Sequence, residues 1–140
     1  GAETSVREYG YLQQINPNRQ PVVTEAIGQA AITMADRLRA AAIVTLTESG
    51  FTSRQISKYR PLCPIVAVTT SRDVVRRLAL NWDVTATFYD GDPADDKKIN
   101  AGIEWARSQG IVASGDVIVV TAGISNREGS TNMLRIVRVA

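Results

Sequence analysis

The chain has 140 residues, 44% of them hydrophobic and 21% charged, with a formal net charge of +2. That length can bury a core as one domain, and the near-neutral balance with scattered basic residues argues against a dedicated nucleic-acid binder. The absence of histidine removes Ser-His-Asp and Cys-His nucleophile systems and His-based metal sites, and a single cysteine removes any intrachain disulfide. No apolar run approaches the roughly 20 residues that span a bilayer. A membrane protein is therefore not expected, and one free cysteine fits a reducing, cytoplasmic setting.

In chain order, residues 1–20 form an arm or short helix, set apart by Asn16, Pro17, Asn18 and Pro21. Residues 21–140 carry the domain. The stretch from Thr24 to Ala40 has helical spacing, with Ile27, Ala30, Ala31, Met34 and Leu38 on one face and Thr24 as N-cap. "AAAIVTL" (Ala40–Leu46), "PIVAVT" (Pro64–Thr69), "VTATF" (Val84–Phe88) and "DVIVVTA" (Asp116–Ala122) are continuous apolar runs. Runs without alternation suit strands buried on both faces of a sheet.

Ser71 caps a helix over "RDVVRRLALNW", whose apolar face is Val74, Val75, Leu78 and Leu80, with Trp82 read as core. The acidic stretch Asp90–Asp96 lacks calcium-loop spacing and reads as a solvated lead into a helix. That helix has Ile99, Ile103 and Ala106 on one face and ends at Gly110. "MLRIVRV" is interrupted by Arg135 and Arg138 and reads as an edge strand. Cys63, at the entry to an apolar run, reads as a small packed residue. The alternation predicts a three-layer α/β/α domain with a five-stranded, mostly parallel sheet and the C-terminal strand at its edge.

The candidate chemistry lies in "TESGFT" (Thr47–Thr52), directly after the first apolar run. In an open parallel sheet, ligands bind beyond the C-terminal ends of strands. Gly50 permits close backbone approach, and the N–H groups of Gly50, Phe51 and Thr52 open a helix N-terminus, where an anion is favoured. Thr47, Ser49, Thr52 and Ser53 add hydroxyls. A phosphate cradle and an ordinary capped strand-to-helix turn both fit this composition. There is no GxGxxG or Walker A motif.

The stretch "LTESGFTSRQISKYRPLCPIVAVT" resembles the C-terminal domain of pyruvate kinase, with its T-x-S-G-x-[ST] loop, [KR]-[YF]-R-P and P-I-[IV]-A-V-T. "GDVIVVTAGISNREGSTNMLRIVRV" is similar to the same domain's closing strand, glycine loop, G-[ST]-T-N and final strand, so the resemblance covers about Pro21–Ala140. It implies a regulatory and assembly domain, without catalysis by this chain alone. The full enzyme of that family, a cytoplasmic tetramer of glycolysis, transfers phosphate from phosphoenolpyruvate to ADP, using Mg²⁺ and K⁺ held by a barrel domain that has no counterpart here. The implied effector site is Thr47, Ser49, Gly50, Phe51, Thr52 and Ser53, covered by the glycine loop within Ala122–Ser130, with Arg127 and Gly129.

Two departures bear on the ligand. Fructose-bisphosphate-activated animal forms often carry lysine where this chain has Glu48, whose carboxylate repels a phosphate unless turned away. The adjacent tryptophan-arginine pair of the animal covering loop is also missing from "AGISNREGS", where Ile124 and Ser125 follow the first glycine. A sugar phosphate or nucleotide monophosphate, as in bacterial forms, is the implied effector. The implied partners are other pyruvate kinase subunits, through the sheet's edge and the helix near "RDVVRRLALNW", and the catalytic barrel. Nucleic acid and membrane are not among them. The alternatives are an assembly module without effector and, from the likeness of T-x-S-G-x-T to the flavodoxin phosphate loop, an FMN-binding protein.

Overall fold

The computed structural model describes residues 20–123 and 131–140. Among the described residues, nine elements follow in the order α1 (Gln20–Leu38), β1 (Ala42–Leu46), α2 (Phe51–Lys58), β2 (Ile65–Thr69), α3 (Arg72–Leu78), β3 (Val84–Phe88), α4 (Asp95–Ser108), β4 (Val117–Gly123) and β5 (Thr131–Arg138). The strands form one sheet in the order β3-β2-β1-β4-β5. β1 pairs in parallel with both β2 and β4, as β2 does with β3, and β5 runs antiparallel to β4 at the edge. This is the α/β architecture that the apolar runs imply.

The sheet's two faces carry separate cores. Ile43, Ile65, Ala67 and Val119 pack with Ala31 and Ala35 of α1, Ile56 of α2, and Val74 and Leu78 of α3. Val44, Val66, Val68, Ile118 and Val120 pack with Ile99, Ile103 and Ala106 of α4. Alternate residues of β1, β2 and β4 thus feed opposite cores, which is why their sequences do not alternate.

Local sequence sets the helix ends. The Ser71 hydroxyl accepts from Val74 N at 3.2 Å and starts α3. Gly110, with φ of 75°, ends α4 as its C′ residue. Gly110 N donates to Arg107 O and Ile111 N to Ala106 O, the two bonds of a Schellman motif. The exposed stretch before α4 is fixed by the Asp92 carboxylate, which accepts from Ala94 N at 2.9 Å.

Other expectations need correction. α1 begins at Gln20, because Pro21 is tolerated in a first turn whose N–H groups lack helical partners anyway. Thr24 is therefore no N-cap; it is fully buried and donates to Thr131 O at 3.1 Å. The buried stripe of α1 is Thr24, Gly28, Ala31 and Ala35, with Ala30 and Leu38 exposed. Small side chains bring this helix close to its neighbours, and bulk alone does not choose the face. α3 stops at Leu78, so Leu80 falls beyond the helix and is 92% exposed. Trp82 is 42% exposed with the Arg60 guanidinium 5.3 Å from its ring centre, so it is not core.

Cys63 is buried as expected. Burial, reinforced by the nearby Asp36 charge, pushes its thiol up to about 11 from an ordinary value of 9.0. Among the described residues, no helix is long and apolar enough to cross a membrane.

Candidate functional site

From β1 the chain steps through β2 to β3 on one side, then crosses under α4 to β4 on the other side of β1. The strand order reverses between β1 and β4. Such a reversal opens a crevice beyond the strands' C-terminal ends, where doubly wound folds bind ligands. The connection from β1 to α2, which contains Thr47–Gly50, lies at that point. The connection leaving β4 starts there too. Arg127 and Gly129 fall in that second connection, outside the described residues, whose flanks are Gly123 and Thr131.

The first connection is held by its own hydroxyls. Gly50 caps α2 with φ of 81°, a left-handed conformation suited to glycine. Its N–H donates to Thr47 Oγ1 at 2.8 Å, and the N–H of Phe51 donates to Ser49 Oγ at 3.2 Å. Two of the N–H groups expected to meet an anion are thus engaged by the loop itself. The Arg54 guanidinium folds back one turn and donates to Ser49 O at 3.0 Å. A cation therefore belongs to this loop, contributed by the helix it opens.

Glu48 points elsewhere. Its carboxylate accepts from the Thr70 hydroxyl and lies 3.8 Å from Lys98 Nζ of α4, with about a fifth of each side chain exposed. These partners fix the carboxylate toward α4, on the face of the sheet opposite α2.

Beneath the loop lies a set of buried hydroxyls. Thr52 Oγ1 is 2.5 Å from Thr131 Oγ1, and Ser53, fully buried, is bonded to Thr45 of β1 at 2.7 Å. Thr24 reaches the same Thr131 through its carbonyl. Thr121 of β4, the register partner of Thr45, is 1% exposed, and among the described residues its hydroxyl has no hydrogen-bond partner. Thr47, Ser49, Gly50, Phe51 and Thr52 are therefore brought together, with Arg54 beside them. Ser53 faces the sheet instead of the loop's surface. Sequence reasoning missed Arg54, Thr131 and Thr24. Arg54 carried a signal, standing one turn into a helix that opens at Gly50; no local pattern joins Thr24 or Thr131 to a residue so distant in sequence.

A family model described as the pyruvate kinase alpha/beta domain matches residues 25–137. The chain belongs to that family. Among pyruvate kinases, the one from Clostridium acetobutylicum is 37% identical over 136 residues, covering 96% of this chain and 29% of its own length. The one from Bacillus licheniformis is 44% identical over 114 residues, covering 81% of this chain and 20% of the relative. The Geobacillus stearothermophilus pyruvate kinase is 38% identical over 135 residues, covering 96% and 23%. This alpha/beta domain thus spans between a fifth and three tenths of the length of these pyruvate kinase relatives.

Proposed function

We propose that this chain is the regulatory and oligomerisation domain of a pyruvate kinase and binds a phosphate-bearing effector at the Thr47–Thr52 loop. The observation that carries the effector reading is placement: a hydroxyl-rich loop opens a helix at the reversal point of the sheet, with Arg54 folded against it. A phosphate there would take up the hydroxyls of Thr47, Ser49 and Thr52 in exchange for their present internal bonds. It would meet the positive end of α2 as well. Glu48, held by Thr70 and Lys98, does not oppose the anion. The effector is a sugar phosphate or a nucleotide monophosphate, with Arg127 and Gly129, which lie outside the described residues, among its proposed contacts.

A ligand that binds one assembly state better than another shifts the population toward it, which is how binding here would change activity in a distant catalytic domain. In the whole enzyme that activity is phosphate transfer from phosphoenolpyruvate to ADP, with Mg²⁺ and K⁺ held by the barrel. Assembly into a cytoplasmic tetramer uses the outer edge of β5, which among the described residues pairs only with β4. α3 packs on β2 and β3 toward the other edge, so β5 and α3 serve different surfaces.

The test is thermal unfolding of the chain with sulfate, fructose bisphosphate, glucose 6-phosphate, ribose 5-phosphate and AMP. A ligand at a hundredfold excess over its Kd stabilises by about 2.7 kcal/mol, a shift of several degrees. Ser49→Ala with Thr52→Ala should abolish the shift, and Glu48→Gln should leave it in place. No shift with any of these ligands would overturn the effector reading. It would favour an assembly module without effector, a reading that the internally satisfied Thr47, Ser49 and Thr52 hydroxyls already accommodate.

A further inference from the structure

Beneath the Thr47–Thr52 loop, the face of the sheet that meets α1 and α2 is lined with hydroxyls. Thr24, Thr45, Thr52, Ser53, Thr121 and Thr131 are all buried. Burying a hydroxyl is unfavourable unless it is bonded, so their partners carry the meaning. Ser53 and Thr45 satisfy each other at 2.7 Å, and Thr24 serves the Thr131 carbonyl. The Thr52–Thr131 pair is different, because Thr52 also belongs to the loop that would meet a phosphate.

Thr131 reaches Thr52 only because the ladder between β4 and β5 is irregular at its end. Leu134 stands opposite Thr121 and Met133 opposite Ala122, but Gly123 is opposed by Thr131, so Asn132 is an extra residue in β5. Side chains alternate between the two faces of a strand, and Leu134 packs into the core beneath α1, α2 and α3. In an unbroken strand Thr131, three residues from Leu134, would therefore face the side of α4. The bulge turns it to the side of α2, and re-aiming one side chain beside a site is a common use of a bulge. Its carbonyl is held there by the Thr24 hydroxyl at 3.1 Å, so the Thr131 hydroxyl meets Thr52 from a fixed backbone.

A hydroxyl has one proton and two lone pairs. The Thr52–Thr131 bond uses one of the pair's two protons and can run in either direction. If Thr52 donates, only its lone pairs remain for the loop, and they repel an anion. If Thr131 donates, the Thr52 proton is left for the loop, and bonds aligned in one sense polarise each other and strengthen the last donor. We infer that Thr131 is a positioning residue for the phosphate: it donates to Thr52 so that Thr52 donates to the anion. The inference rests on the effector reading of the Thr47–Thr52 loop and deepens it. What Thr52 gives up on binding is its role as donor inside the pair, and the pair itself persists. Such a relay favours a group that only accepts hydrogen bonds, an oxyanion, over a hydroxyl or an ammonium.

The experiment is isothermal titration of the intact chain with inorganic phosphate and with ribose 5-phosphate, at a temperature where circular dichroism shows every variant folded. Thr131→Val removes the hydroxyl and keeps the shape, and it should weaken both ligands about tenfold, the lower end of what one hydrogen bond to a charged group contributes. Thr131→Ser restores the donor and should bind within about twofold of the parent. Thr52→Val should weaken binding at least as much as Thr131→Val does. The deciding measurement is Thr131→Val made in the Thr52→Val chain. It should add no further loss, because Thr131 acts only through Thr52. A loss there as large as in the parent would show that Thr131 only shapes the loop, and would overturn the inference. So would unchanged or tighter binding in Thr131→Val, or a serine variant as weak as the valine one. Should Thr131→Val fail to fold, Thr131→Ala takes its place in every comparison. A parent that binds neither ligand overturns the effector reading and the relay with it, whereas a parent that binds and is indifferent to Thr131→Val removes the relay alone.

Discussion

Gly50 is where local geometry matters most. Its φ of 81° excludes comfortable substitution, and an added Cβ would lie 3.0 Å from Arg54 Nη1, 3.1 Å from Leu78 Cδ2 and 3.3 Å from Val74 Cγ1. Both strain and crowding oppose any side chain. Gly50→Ala should destabilise by about 1–3 kcal/mol, measured by urea unfolding, and should displace Arg54 from Ser49. The requirement for glycine was legible in the sequence as a loop that turns from an apolar strand into a helix. The orientation of Glu48 was not, because Thr70 and Lys98 lie 22 and 50 residues away along the chain.

Between elements, the Thr52–Thr131 hydroxyl pair ties the first turn of α2 to the first residue of β5. Thr24 fixes α1 to the same residue. Removing one hydroxyl leaves its buried partner unsatisfied, which costs more than removing both. Thr52→Val and Thr131→Val should each destabilise by about 1–3 kcal/mol, while the double variant should lose clearly less than their sum. A double-mutant cycle in chemical denaturation reads this coupling, and additive losses would contradict it. The element types were legible because strand and helix periods differ, and Ser71 and Gly110 act on their own neighbours. The face of α1 was not, because its contact is made by Thr24, Gly28, Ala31 and Ala35, which hydrophobicity ranks below Leu38 and Met34.

At the scale of the molecule, α1, α2 and α3 pack on one face of the sheet and α4 packs over β1 and β2 on the other. Gly102 sets how closely α4 sits: a Cβ there would come within 2.8 Å of Val68 Cγ2 and 3.3 Å of Val44 Cγ1. Alanine is a better helix former than glycine by about 1 kcal/mol, so propensity and packing oppose each other here. Packing wins, because a backbone-borne methyl cannot move away from two fully buried valines without lifting the helix. Gly102→Ala should therefore destabilise by about 1–3 kcal/mol in a thermal or urea melt. A stabilised variant would show that α4 floats more freely than the contact implies.

By itself the sequence determined the alternation of strands and helices, the mostly parallel sheet, the edge position of the last strand and the placement of the Thr47–Thr52 loop after the first strand. All of these follow from periodicity, capping and the buried character of central strands, which act over a few residues. Only the tertiary structure decided which hydroxyls and charges meet. It brought Arg54 onto the loop, turned Glu48 toward α4, buried Ser53 against Thr45 and placed Thr131 beneath Thr52. It also left Leu80 and Trp82 exposed, where an apolar spacing pattern implies a core. Both lie beyond Leu78, the last residue of α3, and helical spacing does not say where a helix stops.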